Sequence, residues 1–187
     1  MSPIFDRCIF GSLARITDLS ARPFEIEPRV PSEWDTGDYV VGIVTDTSGY
    51  RAIELPSGRN MEVAEGDAVV GAFGTRHATL EMTGSWRKIG DDQLMHALTR
   101  AGLFGHVESR STLVQPPLEL RYHGHVCRDA TKVTMAGAVP PVDEQPYTTP
   151  TILFAGTSMS AGKTTAARIV TRRLKRMGLD VLGAKVS

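Results

Sequence analysis

The sequence has little cysteine, no long hydrophobic run and no excess charge of either sign. Its two cysteines, Cys8 and Cys127, are too few for a disulfide framework, which is typical of a reducing compartment. The longest apolar runs, such as residues 39–44, are far shorter than the ~20 residues of a membrane-spanning helix. Charged residues also interrupt residues 1–16 before a secretory core could form. The sequence therefore predicts a cytoplasmic protein.

The charge balance disfavours polyanionic partners. Lys and Arg total 21, and Asp and Glu also total 21, so the formal net charge is zero. Nucleic acids and acidic membranes attract strongly basic chains, so the balanced charge predicts neither as a partner. The length of 187 residues fits one to one and a half ordinary domains.

A proline-rich stretch divides the chain. Residues 138–150 hold four of the eleven prolines, and proline fixes φ and lacks an amide donor. We therefore expect a domain at 1–138, an extended linker at 139–149 and the start of a second domain at 150–187.

The first part shows mainly β patterns. Apolar and polar residues alternate at 78–82 and 118–127, which predicts strands with one buried face. Residues 94–101 instead carry apolar side chains at helical spacing after Asp91 or Asp92, which predicts one short helix with an acidic N-cap. The interpretation is a β-rich, barrel-like domain.

A short repeat supports this interpretation. Residues 37–44 and 66–73 share the pattern G-D-x-V-V-G-x at a separation of 29 residues. In each copy a Gly-Asp turn precedes apolar β-formers, and the second glycine permits a bulge or bend. The pattern resembles the GD-box of cradle-loop and double-psi barrels, although two ordinary turns before strands explain it as well.

The pattern changes after the linker. A short apolar run at 151–155 precedes G-T-S-M-S-A-G-K-T-T at 156–165, and a helical stretch follows from Lys163 to Met177. The order strand, glycine loop, helix is that of a phosphate-binding loop. Lys163 is then expected to reach the β- and γ-phosphates, and the Thr164 hydroxyl to ligate Mg²⁺.

A second apolar run at 179–186 completes a predicted βαβ unit. The expected fold class is therefore α+β, with a barrel-like first domain and the opening βαβ of a P-loop α/β domain. Such a domain needs further strands, so we expect the chain to be the N-terminal portion of a longer protein, or to be completed by another chain.

The loop resembles that of dethiobiotin synthetase and its P-loop relatives, because five residues separate Gly156 from Gly162. The resemblance covers residues 151–187 and extends to Lys185, which looks like a substrate-side lysine of that family. Ser158 replaces the acidic residue that the synthetase carries there, and Val186 replaces the proline that follows the lysine. Ser158 also stands where MinD-type ATPases carry their signature lysine.

The resemblance implies an ATP- or GTP-binding enzyme, a ligase or hydrolase, that phosphorylates a carboxylate or carbamate. A nucleotide-gated regulator or metallocentre-maturation GTPase is one alternative, and a loop for another phosphate-bearing cofactor such as acyl-CoA is the other. The expected partners are a nucleotide and an unidentified small-molecule substrate, and a homodimer stays open.

The candidate catalytic residues are Lys163, Thr164 and Lys185, and Thr164 is the candidate metal ligand. The candidate cofactor-binding residues form one continuous stretch: Gly156, Thr157, Ser158, Met159, Ser160, Ala161, Gly162, Lys163, Thr164 and Thr165. A second hypothesis concerns His123, His125 and Cys127, which alternate along one strand and would share a face. Three ligands in a row rarely converge on one metal, so a polar strand face is the preferred interpretation.

Overall fold

The computed structural model describes residues 8–78, 80–144, 146, 148–156 and 161–184. The chain divides into two compact units, Met1–Val142 and Asp143–Ser187. The division lies within the proline-rich stretch. Each unit is described by itself below.

The first unit is built from twelve described strands and very little helix. The strands are β1 Ile9–Phe10, β2 Glu25–Glu27, β3 Tyr39–Asp46, β4 Ala52–Glu54, β5 Asn60–Glu62, β6 Ala68–Phe73, β7 Thr75–Ala78, β8 Met82–Ser85, β9 Leu94–Thr99, β10 Leu103–Arg110, β11 Glu119–Arg128 and β12 Thr131–Lys132. Three 3₁₀ turns (Ser12–Ile16, Pro31–Glu33, Trp86–Lys88) and the short helix α1, Met135–Ala138, complete it.

Ten of these strands form one mixed sheet, and five close into a ring. The order β6, β3, β11, β9, β10 is antiparallel throughout, and parallel pairing of Leu103 with Ala72 and of Phe104 with Phe73 joins β10 back to β6. Strands β8 and β7 extend the sheet beyond β10, while β4 and β5 form a separate hairpin. A closed ring removes the unpaired edges of its five strands.

The two Gly-Asp repeats become neighbouring antiparallel strands, β3 and β6. Their ends are joined by matching hydrogen bonds: Gly37 N donates to Phe73 O at 2.8 Å, and Gly66 N donates to Val44 O at 2.9 Å. The two glycines have φ of +85° and +90°, which other residues rarely adopt. The repeat therefore encodes a local two-fold arrangement of turns and strands.

The second glycine of each repeat lies where neighbouring groups approach the backbone closely, and the pairing of β3 with β11 shifts register beside Gly42. Neither Gly42 nor Gly71 has a positive φ. A methyl group built on Gly42 would lie 2.3 Å from Met95 Cε, and one built on Gly71 would lie 2.3 Å from the Gly102 carbonyl oxygen. These glycines allow close approach inside and beside the ring.

Two hydrophobic clusters pack the first unit. The larger is rich in aromatic rings and includes Trp34, Phe73, Trp86, Phe104 and Tyr122. The smaller joins the 3₁₀ turn Ser12–Ile16 to the outer side of β3 and β6. Together they account for the burial of both faces of these central strands.

Two sequence expectations in the first unit are wrong. Residues 94–101 form strand β9 and a turn rather than a helix, because β9 is flanked on both sides by strands that satisfy its backbone. Asp92 does accept an amide hydrogen bond from Leu94, but it caps a turn in which Gln93 has φ +57°. The alternation at residues 78–82 spans a hairpin turn between β7 and β8, not one strand.

The predicted α+β class is also wrong. The fold is mostly β-sheet, and the described part of the second unit contains one helix, α2 Lys163–Arg176, and no strand. Neither 151–155 nor 179–184 forms a strand, so there is no βαβ unit in the described residues. Two strands without neighbours leave most of their backbone groups unpaired, which explains why the apolar pattern alone does not produce them.

Helix α2 itself is confirmed, and so is its predicted stop. Gly178 has φ +83° and donates to Lys175 O, while Leu179 N donates to Leu174 O. This pair of bonds is a Schellman ending. Within the described residues, no helix is long and apolar enough to span a membrane.

Candidate functional site

Helix α2 begins directly after a glycine in the left-handed conformation. Gly162 is the N-cap, with φ +82° and ψ +4°, and Ala166 N makes the first helical hydrogen bond to Gly162 O at 2.9 Å. A methyl group built on Gly162 would meet nothing within 4 Å, so the glycine is required by φ rather than by space. The amides that precede Ala166 lie before the first helical bond, at the positive end of the helix dipole.

Lys163 folds back over the start of the glycine loop. A methyl group built on Gly156 would lie 3.0 Å from Lys163 Cγ and 3.1 Å from Cδ. The lysine stem therefore occupies the space beside the Gly156 Cα, seven positions earlier in the sequence. A methyl group at residue 156 would require the lysine stem to shift by a few tenths of an ångström.

The remaining predicted loop residues have the following positions. Ala161, Thr164 and Thr165 are exposed at the mouth of the loop and in the first turn of α2. The residues Thr157, Ser158, Met159, Ser160 and Lys185 lie outside the described part of the chain. The structure thus brings together Gly156, Gly162 and Lys163 and presents both threonines beside them.

The Mg²⁺ ligand predicted here is a single hydroxyl. Thr164 is exposed in the first helical turn, which fits one protein ligand to a cation whose other ligands are phosphate oxygens and water. No group of three or more His, Cys, Asp or Glu among the described residues could hold a metal.

The His123, His125 and Cys127 row does not converge. Strand β11 is confirmed, but its pairing with β3 shifts between Tyr122 and Gly124, so the alternation is broken. His123 is exposed, whereas His125 and Cys127 are fully buried. Burial raises the pKa of the Cys127 thiol, although the Arg29 guanidinium 3.9 Å away opposes the shift. A raised pKa keeps the thiol protonated, which disfavours a role as a nucleophile.

The fold forms a buried polar chain centred on Asp38 that the sequence pattern does not predict. The Asp38 Oδ2 atom accepts hydrogen bonds from His125 Nε2 at 3.1 Å and from Lys132 Nζ at 2.6 Å. On its other side, His125 Nδ1 lies 2.6 Å from the Tyr122 hydroxyl, which accepts from Arg29 N at 3.0 Å. One arrangement satisfies every atom: the Tyr122 O–H donates to a neutral His125, whose Nε2–H donates to Asp38.

The electrostatics of Asp38 match this arrangement. Burial acts to raise the pKa of its carboxyl, but hydrogen bonds from His125, Lys132 and the Asp35 amide outweigh it and hold the pKa below its ordinary value. The matching Asp67 of the second repeat needs only the Ala64 amide, at 2.8 Å. A Gly-Asp turn therefore forms without a histidine or lysine partner. In the sequence, the only signal that singles out Asp38 is its position in the repeat.

A surface cleft of about 540 Å³ lies in the first unit, away from these groups except at Lys132. Its lining comes from the chain after the first 3₁₀ turn, the end of β11 and the region of α1: Ile16, Thr17, Asp18, Arg128, Lys132, Val133, Thr134, Gly137 and Ala138. Its cations are already paired, Arg128 with Asp18 at 2.6 Å and Lys132 with Asp38.

Comparisons of the chain with protein-family models, with curated proteins and with solved structures give no significant match. The functional argument therefore rests on the residues themselves.

Proposed function

We propose that the chain binds the triphosphate of ATP or GTP, with Mg²⁺, through residues 156–165. The observation that carries the proposal is the position of Lys163, whose stem lies against Gly156 while its backbone begins α2. One residue thus combines a cation, a helix N-terminus and a contact with the first glycine of the motif. A triphosphate needs all three features within a few ångströms.

Each group has a distinct task in this proposal. The amides of the first helical turn bind phosphate oxygens, and Lys163 neutralises charge on the β- and γ-phosphates. The Thr164 hydroxyl would hold Mg²⁺, which would supply positive charge beside the phosphates. Lys163 would also stabilise the charge that develops on a transferred phosphoryl group, and a bound Mg²⁺ would supply further positive charge for that step.

The resemblance to dethiobiotin synthetase supports a carboxylate or carbamate as the phosphoryl acceptor. In that proposal Lys185 contacts the acceptor, and the enzyme is an ATP-dependent ligase. Nucleotide binding does not depend on this second step, so it is tested first.

The test is calorimetric titration of the full chain with Mg-ATP and with Mg-GTP. Lys163→Ala is compared with Lys175→Ala, which removes the same charge from the other end of the same helix. We expect Lys163→Ala to weaken binding at least tenfold, about 1.4 kcal/mol, and Lys175→Ala to leave it within twofold. Equal affinities for the two variants, or no binding by the unaltered chain, would contradict the proposal.

Gly156→Ala supplies a second, geometric test. The added methyl group would stand 3.0 Å from Lys163 Cγ, so the lysine must move while its charge is kept. We expect nucleotide affinity to fall, although no charge is lost. Gly183→Ala is the control, because a methyl group built there meets nothing within 4 Å.

A further inference from the structure

The zero net charge of the chain conceals a strong separation of charge between its two units. Residues 1–142 contain fourteen Lys and Arg and eighteen Asp and Glu, a net charge of −4. Residues 143–187 contain seven and three, a net charge of +4. The second unit taken alone is basic, so the neutrality of the whole chain does not exclude a polyanionic partner for it.

The positive charge of the second unit is concentrated on α2. The helix carries six cations and no acidic residue in fourteen positions. By the 3.6-residue period, four of these cations fall within an arc of about 100°. We call this set the cationic face: Arg168, Arg172, Lys175 and Arg176. All four are exposed.

The cationic face lies opposite the half-buried side of the helix. Ala167, Val170 and Leu174 are half-buried, and they lie on the other side of the helix by the same period. The charged side of the helix is therefore exposed, and its apolar side is half-buried.

Neutralisation within the molecule does not account for these charges. No ion pair in the described residues involves a member of the cationic face. The helix dipole stabilises cations only in the last turn, which covers Lys175 and Arg176 but not Arg168 or Arg172. Arg168 and Arg172, in mid-helix, therefore have neither an ion-pair partner among the described residues nor the dipole to stabilise their charge.

The composition of the face favours phosphate groups on a duplex. Three of its four members are arginines, whose planar fork binds phosphate oxygens bidentately. The helix has no aromatic residue on which an unpaired base could stack. Double-stranded nucleic acid presents phosphates at a density that a row of arginines on one helix face can match.

We propose that the cationic face of α2 binds the phosphate backbone of double-stranded nucleic acid without reading its sequence. The proposal is independent of nucleotide binding at residues 156–165. Its ligand contacts are purely ionic, so counterion release governs the affinity.

The experiment measures anisotropy of labelled mixed-sequence duplexes, one DNA and one RNA, with the full chain between 25 and 200 mM salt. If all four cations contact phosphates, the slope of log affinity against log salt is about −3 to −4. We expect unlabelled duplexes of different sequence to compete equally for the protein. Absence of binding at the lowest salt would overturn the proposal without any variant.

Variants locate the contact. Arg172→Gln with Arg176→Gln removes two of the four cations. We expect the magnitude of the salt slope to decrease by about 2 and the affinity to fall at least tenfold. Arg51→Gln with Arg59→Gln is the matched control, because it removes the same charge from exposed positions in the first unit. Arg172→Lys with Arg176→Lys keeps the charge and should keep most of the affinity.

Two further ligands separate nucleic acid from other polyanions. Vesicles containing phosphatidylserine and soluble polyglutamate are titrated under the same conditions. Tighter binding to vesicles would identify a membrane surface, and equal competition by polyglutamate would identify an acidic protein partner. Either result, or equal loss of affinity in the control variant, would overturn the proposal.

Discussion

His125 and Asp38 form a hydrogen bond between two side chains that are 0% and 1% exposed, with Nε2 and Oδ2 3.1 Å apart. The bond joins β11 to the residue that precedes β3. The Lys132 ammonium group completes the pair from β12, at 2.6 Å from the same carboxylate oxygen. The polar chain thus fastens the segment that leads to α1 against the closed ring of strands.

The two repeats permit a matched test of this chain. Asp38→Ala removes the acceptor of His125 and Lys132, whereas Asp67→Ala removes only the acceptor of the Ala64 amide. We expect the first substitution to lower the free energy of unfolding by about 3 kcal/mol, because it leaves the buried donors of His125 and Lys132 without an acceptor. The second should cost about 1 kcal/mol. Urea unfolding of both variants measures the difference, and equal costs would contradict a special role for Asp38.

Asp38 also predicts how stability depends on acid. Its folded-state pKa lies below the ordinary value of about 3.9, so the folded protein binds this proton less readily than the unfolded chain. The corresponding stability is present above about pH 4 and is lost as the pH falls through the lower folded pKa. In a pH series of urea unfolding, Asp38→Ala should show a weaker acid dependence than the unaltered protein. Parallel curves would argue against the ion pair.

Tyr122 predicts a loss of stability at alkaline pH. Burial raises the pKa of its hydroxyl to about 12, against an ordinary value of about 10. Because the folded state holds this proton more tightly, its stability contribution is present below pH 10 and decreases as the pH rises towards 12. Tyr122→Phe should reduce that decrease in alkaline unfolding experiments. Part of the alkaline loss of stability should remain in this variant, because burial also raises the pKa of Tyr39 to about 12.

Ala130 predicts a stabilising substitution. The turn between β11 and β12 places Asp129 at φ +49° and Ala130 at φ +59°, a conformation that costs an alanine about 1 kcal/mol. Ala130→Gly should therefore raise the melting temperature. Ala64→Gly, at an exposed position without positive φ, should lower it. A fall in both variants would show that the turn is not strained.

The repeat was the most informative part of the sequence for the fold. Gly37 and Gly66 were interpreted as turn residues, and both have a positive φ before the strand that each precedes. The pairing of β3 with β6 could not be inferred, because a pattern of turns and apolar residues does not say which strands are neighbours. That information comes from packing around the ring.

Short apolar runs were the least informative. Residues 94–101 fit a helical period, yet β10 and β11 provide hydrogen-bond partners on both sides, and tertiary pairing prevails over local spacing. The reverse occurs at 151–155 and 179–184, where β-formers find no partner strand in the described residues. In both cases the deciding factor lies outside the segment.

The candidate sites divide in the same way. Gly156, Gly162 and Lys163 were recognisable because their chemistry depends on local spacing. Asp38 and His125 are 87 positions apart, and only the fold brings them together. The charge of α2 was visible in the sequence, but its significance required the division of the chain into units.

The most direct test of the central claim is to locate the bound phosphates by NMR on the ¹⁵N-labelled full chain. On titration with Mg-ATP, we expect saturable shifts of the amide resonances of Gly162, Lys163 and Thr164. The resonances of Gly37 and Gly66, in the first unit, should stay unchanged. Lys163→Ala should abolish the shifts at the loop, and Lys175→Ala should not. Saturable shifts confined to the first unit, or none at the start of α2, would contradict the account.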